Sequence, residues 1–192
     1  VTSPAQPLRL VIFGRQGAGK GTQCARLVER RGVVHVSTGD MLRRAVEART
    51  ELGLRAKAVM DAGDLVGDEL MNRIVAERLA QPDVVERGFV LDGYPRTINQ
   101  AEALVAILGD DQLDAAVDLD VPLEVVTERM RTRARDDDTD EAIARRLELY
   151  ERETRPVLDW FAARGLLVVV DGVGSEDEVT ARLVAALDAV RA

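Results

Sequence analysis

Gly14-Arg15-Gln16-Gly17-Ala18-Gly19-Lys20-Gly21-Thr22 follows directly on the apolar run Leu8-Arg9-Leu10-Val11-Ile12-Phe13 and leads straight into an amphipathic stretch. Glycines in such a loop let consecutive backbone N–H groups face an anion without side-chain obstruction. The start of the next helix adds its own free N–H groups, and Lys20 adds a full positive charge. The chemistry is phosphate binding, and the order strand, loop, helix separates it from a flexible turn with an accidental lysine. The hydroxyl expected directly after the lysine is displaced by one place, with Gly21 there and Thr22 next. The loop therefore specifies a nucleotide phosphate more sharply than it specifies how magnesium is held.

The remaining cations of interest are arginines: Arg43, Arg96, Arg129, Arg133, Arg135 and Arg146. Each falls near a proposed strand end or in a charged strip. A guanidinium holds two phosphate oxygens at once and keeps its charge, so arginine suits a site that must gather polyanions. The formal net charge of the whole chain is −8. That argues against a general nucleic-acid binder, which needs a positive field along its surface. Any phosphate site is then a local cluster of cations on an acidic protein.

These residues need a frame to position them. Five short apolar segments are predicted as strands: Leu8–Phe13, Val33–Val36, Gly88–Leu91, Ala115–Leu119 and Leu166–Val170. Helical patterns alternate with them, which predicts a parallel sheet with helices on both faces. In the last helix Ser175 and Glu178 form a capping box, and Val179, Leu183, Leu187 and Val190 share one face. Ligands of such sheets lie beyond the carboxyl ends of the strands. The informative stretches are thus Gly14 to Thr22, Ser37 to Asp40, Asp92 to Arg96, and Asp171 to Gly174. Two stretches break the alternation: Gly39 to Gly67, with two helix-like pieces before the helix Asp68–Ala80, and the charged strip Arg129 to Asp138. Both are expected to be mobile elements over the sheet edge.

A chain of 192 residues, 46% hydrophobic and 31% charged, fits one soluble domain. The single cysteine, Cys24, forms no internal disulfide and is expected to pack as a small apolar group. No apolar run is long enough to cross a bilayer, and Val1-Thr2-Ser3-Pro4 lacks the plan of a signal peptide. The expectation is a cytoplasmic protein without membrane association. His35, the only histidine, lies in a predicted strand and is expected to be a packing residue.

Taken together, the motifs resemble those of the adenylate kinases, within the nucleoside monophosphate kinases. The resemblance runs from about Leu8 to the last helix. It rests on the phosphate loop, Ser37-Thr38-Gly39-Asp40-Met41-Leu42-Arg43, Asp61-Ala62-Gly63-Asp64-Leu65-Val66, Leu91-Asp92-Gly93-Tyr94-Pro95-Arg96, the arginine strip with Asp137-Asp138, and Arg146-Leu147-Glu148-Leu149-Tyr150. One departure is Gln16, where the family loop usually carries proline. The resemblance implies a three-layer phosphate-loop fold with a five-stranded parallel sheet. It also implies reversible phosphoryl transfer from magnesium ATP to AMP, giving two ADP.

Carried over position by position, ATP would lie against Gly17, Ala18, Gly19, Lys20, Gly21 and Thr22, with Arg129 at the adenine ring and Arg133 at the phosphates. Gly174 would meet the ATP base through its backbone. AMP would lie against Thr38, Gly39, Arg43, Met60, Asp64, Leu65, Val66, Gly93, Tyr94, Pro95, Arg96 and Gln100. Arg135 and Arg146 would reach AMP and the transferring phosphate, with Asp137 and Asp138 orienting them. Lys20, Arg96, Arg133, Arg135 and Arg146 would carry catalysis, and Asp92 would hold magnesium through water. By residue type alone, Thr38 serves equally as a helix cap, and Gln100 as the capping-box partner of Thr97; the resemblance moves both toward the adenine. Arg131, Arg145, Arg152 and Arg155 read as surface residues.

The implied organisation is a core of 8–36, 68–128 and 139–192, an AMP-binding insertion at 37–67, and a short lid at 129–138. Asp138 with Glu141 resembles the cap of the next helix. The lid has neither the length nor the cysteines for structural zinc, and the protein is expected to be a monomer. The nearest competing reading is a UMP or CMP kinase, against which Thr38 argues, since pyrimidine relatives tend to carry a smaller residue there. A nucleotide-binding switch is the other; it does not need so many cations converging on one group.

Overall fold

The computed structural model describes residues 7–109, 112–132 and 139–190. Five strands, β1 (Leu8–Phe13), β2 (Val34–Ser37), β3 (Gly88–Asp92), β4 (Ala115–Asp120) and β5 (Leu167–Asp171), form one sheet in the order β2-β3-β1-β4-β5. Every pairing is parallel. Each strand lies within one residue of its predicted bounds. Parallel strands buried on both faces carry apolar side chains at successive positions, not alternate ones, and that is what made them legible.

The connections are α1 (Lys20–Arg31), α2 (Thr38–Glu47), α3 (Glu51–Asp61), α4 (Asp68–Leu79), α5 (Pro82–Arg87), α6 (Ile98–Leu108), α7 (Leu123–Thr132), α8 (Asp140–Leu149), α9 (Arg155–Ala162) and α10 (Glu176–Val190). Two apolar cores fill the space between the layers. On one face Leu10 and Ile12 of β1 pack with Leu27 of α1, Val126 of α7 and Leu183 of α10. On the other, Val11 and Phe13 pack with Val75 of α4, Leu104 of α6 and Phe161 of α9. The period-2 alternation of β1 divides its side chains between the two layers.

Caps differ from the sequence reading in detail. Ser37, not Thr38, caps α2 by accepting from Asp40 N–H. Thr139, not Asp138, caps α8 by accepting from Ala142 N–H at 3.1 Å. Both cases had two oxygen-bearing neighbours in sequence, and backbone geometry decided between them. Ser175 and Glu178 form the expected reciprocal box.

A single π-helical turn, Tyr150–Thr154, joins α8 to α9, and Arg155 N–H donates to Tyr150 O. Pro156 has no N–H to give Arg152, so the ladder widens at this point.

Gly88 opens β3 at φ 75° and ψ −173°, a conformation that suits glycine alone. A Cβ there would lie 2.2 Å from Leu8 O and 2.6 Å from Leu8 N. These are backbone atoms of the neighbouring strand and cannot step aside. Gly88→Ala is therefore expected to lower stability by about 2–5 kcal/mol, combining backbone strain and overpacking. Urea unfolding checks this; a loss under about 0.5 kcal/mol, the level of a neutral surface change, would contradict it.

Candidate active site

Beyond the carboxyl ends of β1, β2 and β3 lies a cleft of about 540 Å³. It is walled by the glycine loop, the start of α2, the turn between α3 and α4, the 92–96 segment, and side chains of α7 and α8. This is the volume of a small-molecule site and sits where parallel sheets gather ligands.

The loop after β1 holds its shape through close approaches. Gly17 has φ +86°, and a Cβ on it would come within 2.8 Å of Val126 O. Gly19 precedes α1 without any side-chain cap, leaving the first N–H groups of α1 to an incoming anion. Lys20 reaches back over the loop, donating to Gly14 O at 2.7 Å and Arg15 O at 3.3 Å. Gly17, Gly19, Lys20, Gly21 and Thr22 line the cleft. Ala18 does not; it is 3% exposed, and its N–H donates to Arg15 O. Gln16, at the family's usual proline, also lines the cleft. Arg15 turns outward, donating to Glu151 at 2.8 Å and to Val121 O at 3.1 Å.

Three arginines converge on the opposite wall. Arg96 is fixed by its Nε donating to Gly93 O at 2.8 Å, its N–H to Gln100 Oε1 at 2.7 Å, and its carbonyl accepting from Thr154 Oγ1 at 3.1 Å. Burial pushes the Arg96 pKa down; Asp92 opposes this, while Arg146 and Arg43 add to it. Like charges held near one another mark a place built for an anion. Arg43 pairs with Asp40 at 2.5 Å, and Arg146 donates to Met60 O at 3.0 Å. Met60, Asp64, Leu65, Val66, Thr38, Gly39 and Gln100 complete that end, with Gly93, Tyr94 and Pro95.

Thr38 and Gln100 are each 2% exposed. Thr38 Oγ1 donates to Asp92 O at 3.2 Å, and Gln100 Nε2 donates to Asp68 at 2.7 Å. Gln100 N–H does donate to Thr97 Oγ1, but the Gln100 side-chain Oε1 accepts from Arg96 N–H, one residue short of a full capping box. The buried Tyr94 hydroxyl lies 2.7 Å from Asn72 Oδ1 and 3.0 Å from Gln100 O. Burial, then Asp68, pushes its pKa up, so it stays a neutral support under the segment.

On the other side Arg129 leans over the loop, within 3.4 Å of Gly17 O, 3.3 Å of Ala18 O and 3.5 Å of Gly172 O. Gly174, two residues further, is exposed and is not among the cleft-lining residues. Arg133, Arg135, Asp137 and Asp138 lie outside the described residues. Arg145, expected to be plain surface, ties α8 to the α3–α4 turn through Asp64 at 2.7 Å.

Asp92 ends β3 between the two walls. Burial alone would raise its pKa, but the His35 imidazole, Lys20 and Arg96 outweigh that and hold the carboxyl below its ordinary value. It is an ionised carboxylate lining the same cleft as Thr22, and carboxylate and hydroxyl oxygens are hard donors of the kind magnesium accepts. His35 is not the plain packing residue expected from its strand: it lines the cleft, with Nε2 3.6 Å from Asp92 Oδ2. Thr154 and Asp68, which brace Arg96 and Gln100, were not singled out from sequence. Neither sits in a motif, and only tertiary contact reveals them.

The family model for adenylate kinase matches residues 12–166. An adenylate kinase of Stenotrophomonas maltophilia (strain K279a) is 50% identical over 188 residues, covering 95% of this chain and 100% of its own length. Adenylate kinases of Nocardia farcinica (strain IFM 10152) and Bifidobacterium longum (strain NCC 2705) are each 50% identical. They cover 94% of this chain, and 99% and 100% of their own lengths.

Proposed function

Because the chain belongs to the adenylate kinase family and catalyses reversible phosphoryl transfer from ATP to AMP, we propose that the cleft holds the two nucleotides end to end, with the transferring group between Lys20 and Arg96. The single observation that carries this assignment is the convergence of Arg43 and Arg146 on the half-buried Arg96, in a cleft shared with the loop that carries Lys20. Binding alone does not need cations gathered from two walls onto one point.

The acceptor is already an anion, so the reaction needs no strong general base. What it needs is two polyanions held in line without mutual repulsion, and water kept out. ATP takes the loop N–H groups of Gly17 to Thr22, with Lys20 on its outer phosphates and Arg129 against its base. Arg133 and Gly174 are assigned to ATP by family likeness. AMP takes Arg43, Arg96 and Arg146 on its phosphate, and Thr38 and Gln100 at its base. The Met60, Asp64, Leu65 and Val66 turn closes that end, and Arg135 joins by family likeness. Asp92, with Thr22 nearby, would hold Mg²⁺ through water; the ion, when bound, neutralises charge on the phosphate oxygens. Residues 37–67 act as the acceptor-binding insertion and 129–138 as a short lid. A monomer is assigned by family likeness. Among the described residues no helix is long and apolar enough to cross a membrane, and we assign the protein to the cytoplasm, where its nucleotides are.

An acceptor panel tests the base assignment. With ATP as donor, AMP is expected to be turned over well ahead of UMP and CMP. Thr38→Ala is expected to lower kcat/KM for AMP by about 10–100-fold, the range of one to three kcal/mol, with a smaller effect on the pyrimidines. Equal use of all three acceptors by the unaltered protein would overturn the adenine assignment.

A further inference from the structure

Three side chains of different chemistry, from three elements, meet at the floor of the cleft. Cys24 comes from α1, His35 from β2 and Asp92 from the end of β3. The thiol, imidazole and carboxylate ligand atoms all lie within 4.8 Å of one another. Cys24 is 0% exposed, and the side chains of His35 and Asp92 are 23% and 15% exposed. His35 and Asp92 both line the cleft, and Cys24 is not among its lining residues. His35 Nε2 is shielded from solvent and has no hydrogen-bond partner, with Asp92 Oδ2 nearby at 3.6 Å. Cys24 packs in the apolar core with Leu27 and Ile12, but that packing does not account for the imidazole and the carboxylate within 4.8 Å of its sulfur.

We propose that Cys24, His35 and Asp92 form an inhibitory site for a soft divalent transition-metal ion, with zinc as the type ion. A set of one sulfur, one nitrogen and one oxygen matches the ligand preferences of zinc, whereas magnesium favours oxygen and keeps its waters. Zinc–ligand bonds of roughly 2.0–2.3 Å imply ligand separations of roughly 3.3–3.6 Å in a tetrahedron. The widest pair must therefore close by on the order of 1 Å, within the reach of side-chain rotation. A fourth position is left toward the cleft for water or a phosphate oxygen. Coordination exchanges the thiol proton for the metal: the S–H bond breaks, the S–metal bond forms, and the proton leaves to solvent. Only thiophilic ions make that exchange favourable, which separates this site from the magnesium one. Inhibition rests on the proposed role of Asp92 toward Mg²⁺, because the bound ion takes that carboxylate away; binding itself does not rest on it.

Cobalt(II) is the probe, since a cobalt–thiolate bond gives a charge-transfer band and Cys24 is the one cysteine in the chain. Titrating the whole protein with Co²⁺ is expected to produce this band with one ion per chain, and Zn²⁺ is expected to remove it. Cys24→Ala should lose the band, and His35→Asn should bind Co²⁺ about tenfold or more weakly. Both variants should keep their circular dichroism spectrum; Cys24→Ala should also keep its magnesium-dependent turnover and need about tenfold or more Zn²⁺ for half inhibition. No band in the unaltered protein, or unchanged affinity in His35→Asn, overturns the site. Equal zinc inhibition of the unaltered protein and Cys24→Ala, or zinc that displaces cobalt without slowing turnover, overturns the inhibitory role. The cobalt band needs neither magnesium nor turnover. Failure of the Asp92 reading appears elsewhere, as an unchanged Mg²⁺ dependence in Asp92→Asn.

Discussion

Lys20→Met is expected to cut kcat by about 10²–10³-fold, the loss typical of removing one preorganised cation or donor from a transition state. Methionine fills the same volume without the charge, so the loop N–H groups remain but nothing balances the outer phosphates of ATP. Lys20 also has a ground-state duty, donating to Gly14 O and Arg15 O. Both bonds are part-buried, and losing them is expected to cost about 1 kcal/mol. For a chain of this size that is a fall in Tm of about 2–4 °C at most. Steady-state turnover and a thermal scan on the same preparation separate the two roles. A near-normal kcat would remove Lys20 from the reaction, and a collapse of Tm would assign the loss to folding.

Arg96→Ala is expected to act with the opposite sign on stability. Arg96 sits half-buried with Arg43 and Arg146 close by, and its pKa is held below the ordinary guanidinium value. A cation whose folded-state pKa is lowered has a charged form that the fold disfavours, so its removal relieves burial and repulsion. Tm is expected to hold or rise, while kcat/KM for AMP falls by about 10²–10³-fold with KM for AMP raised. This is the pattern of a residue kept for chemistry at the expense of the fold. Arg96→Lys, which restores a charge but not the planar fork, is expected to recover part of the loss only. An unchanged response to AMP would exclude Arg96 from the acceptor phosphate.

The strands and the glycine loop were readable because local chemistry determines them. Five apolar runs buried on both faces leave little choice of period, and Gly17 and Lys20 act through backbone and charge that need no distant partner. The acceptor wall was legible only through family likeness. Its place just past a strand end, after Tyr94-Pro95, was the one local sign that set Arg96 apart from Arg152, which pairs with Glu148 and Glu153 on the surface; the convergence of Arg96 with two other cations had none. Thr38 and Ser37 divided their roles by backbone geometry that adjacent hydroxyl residues do not announce. His35 was misjudged because strand position predicts packing, whereas the end of β3 places Asp92 beside it. Arg145 was set aside as surface, and it is exposed, yet its partner Asp64 lies 81 positions away.

That far-reaching tie has a companion with a consequence for anion discrimination. Arg146 already donates to Met60 O across the mouth of the cleft. An arriving phosphate therefore competes with a backbone carbonyl for the same guanidinium, and gains only the difference between two bonds. A hydrogen bond to a charged group contributes on the order of 1.5–3 kcal/mol. A singly charged bystander such as chloride or acetate hardly exceeds the carbonyl it must replace, whereas a dianionic phosphate monoester does so readily. On the proposed role of Arg146 at the acceptor phosphate, its bond to Met60 near the end of α3 is expected to favour a dianionic phosphate monoester over such monoanions.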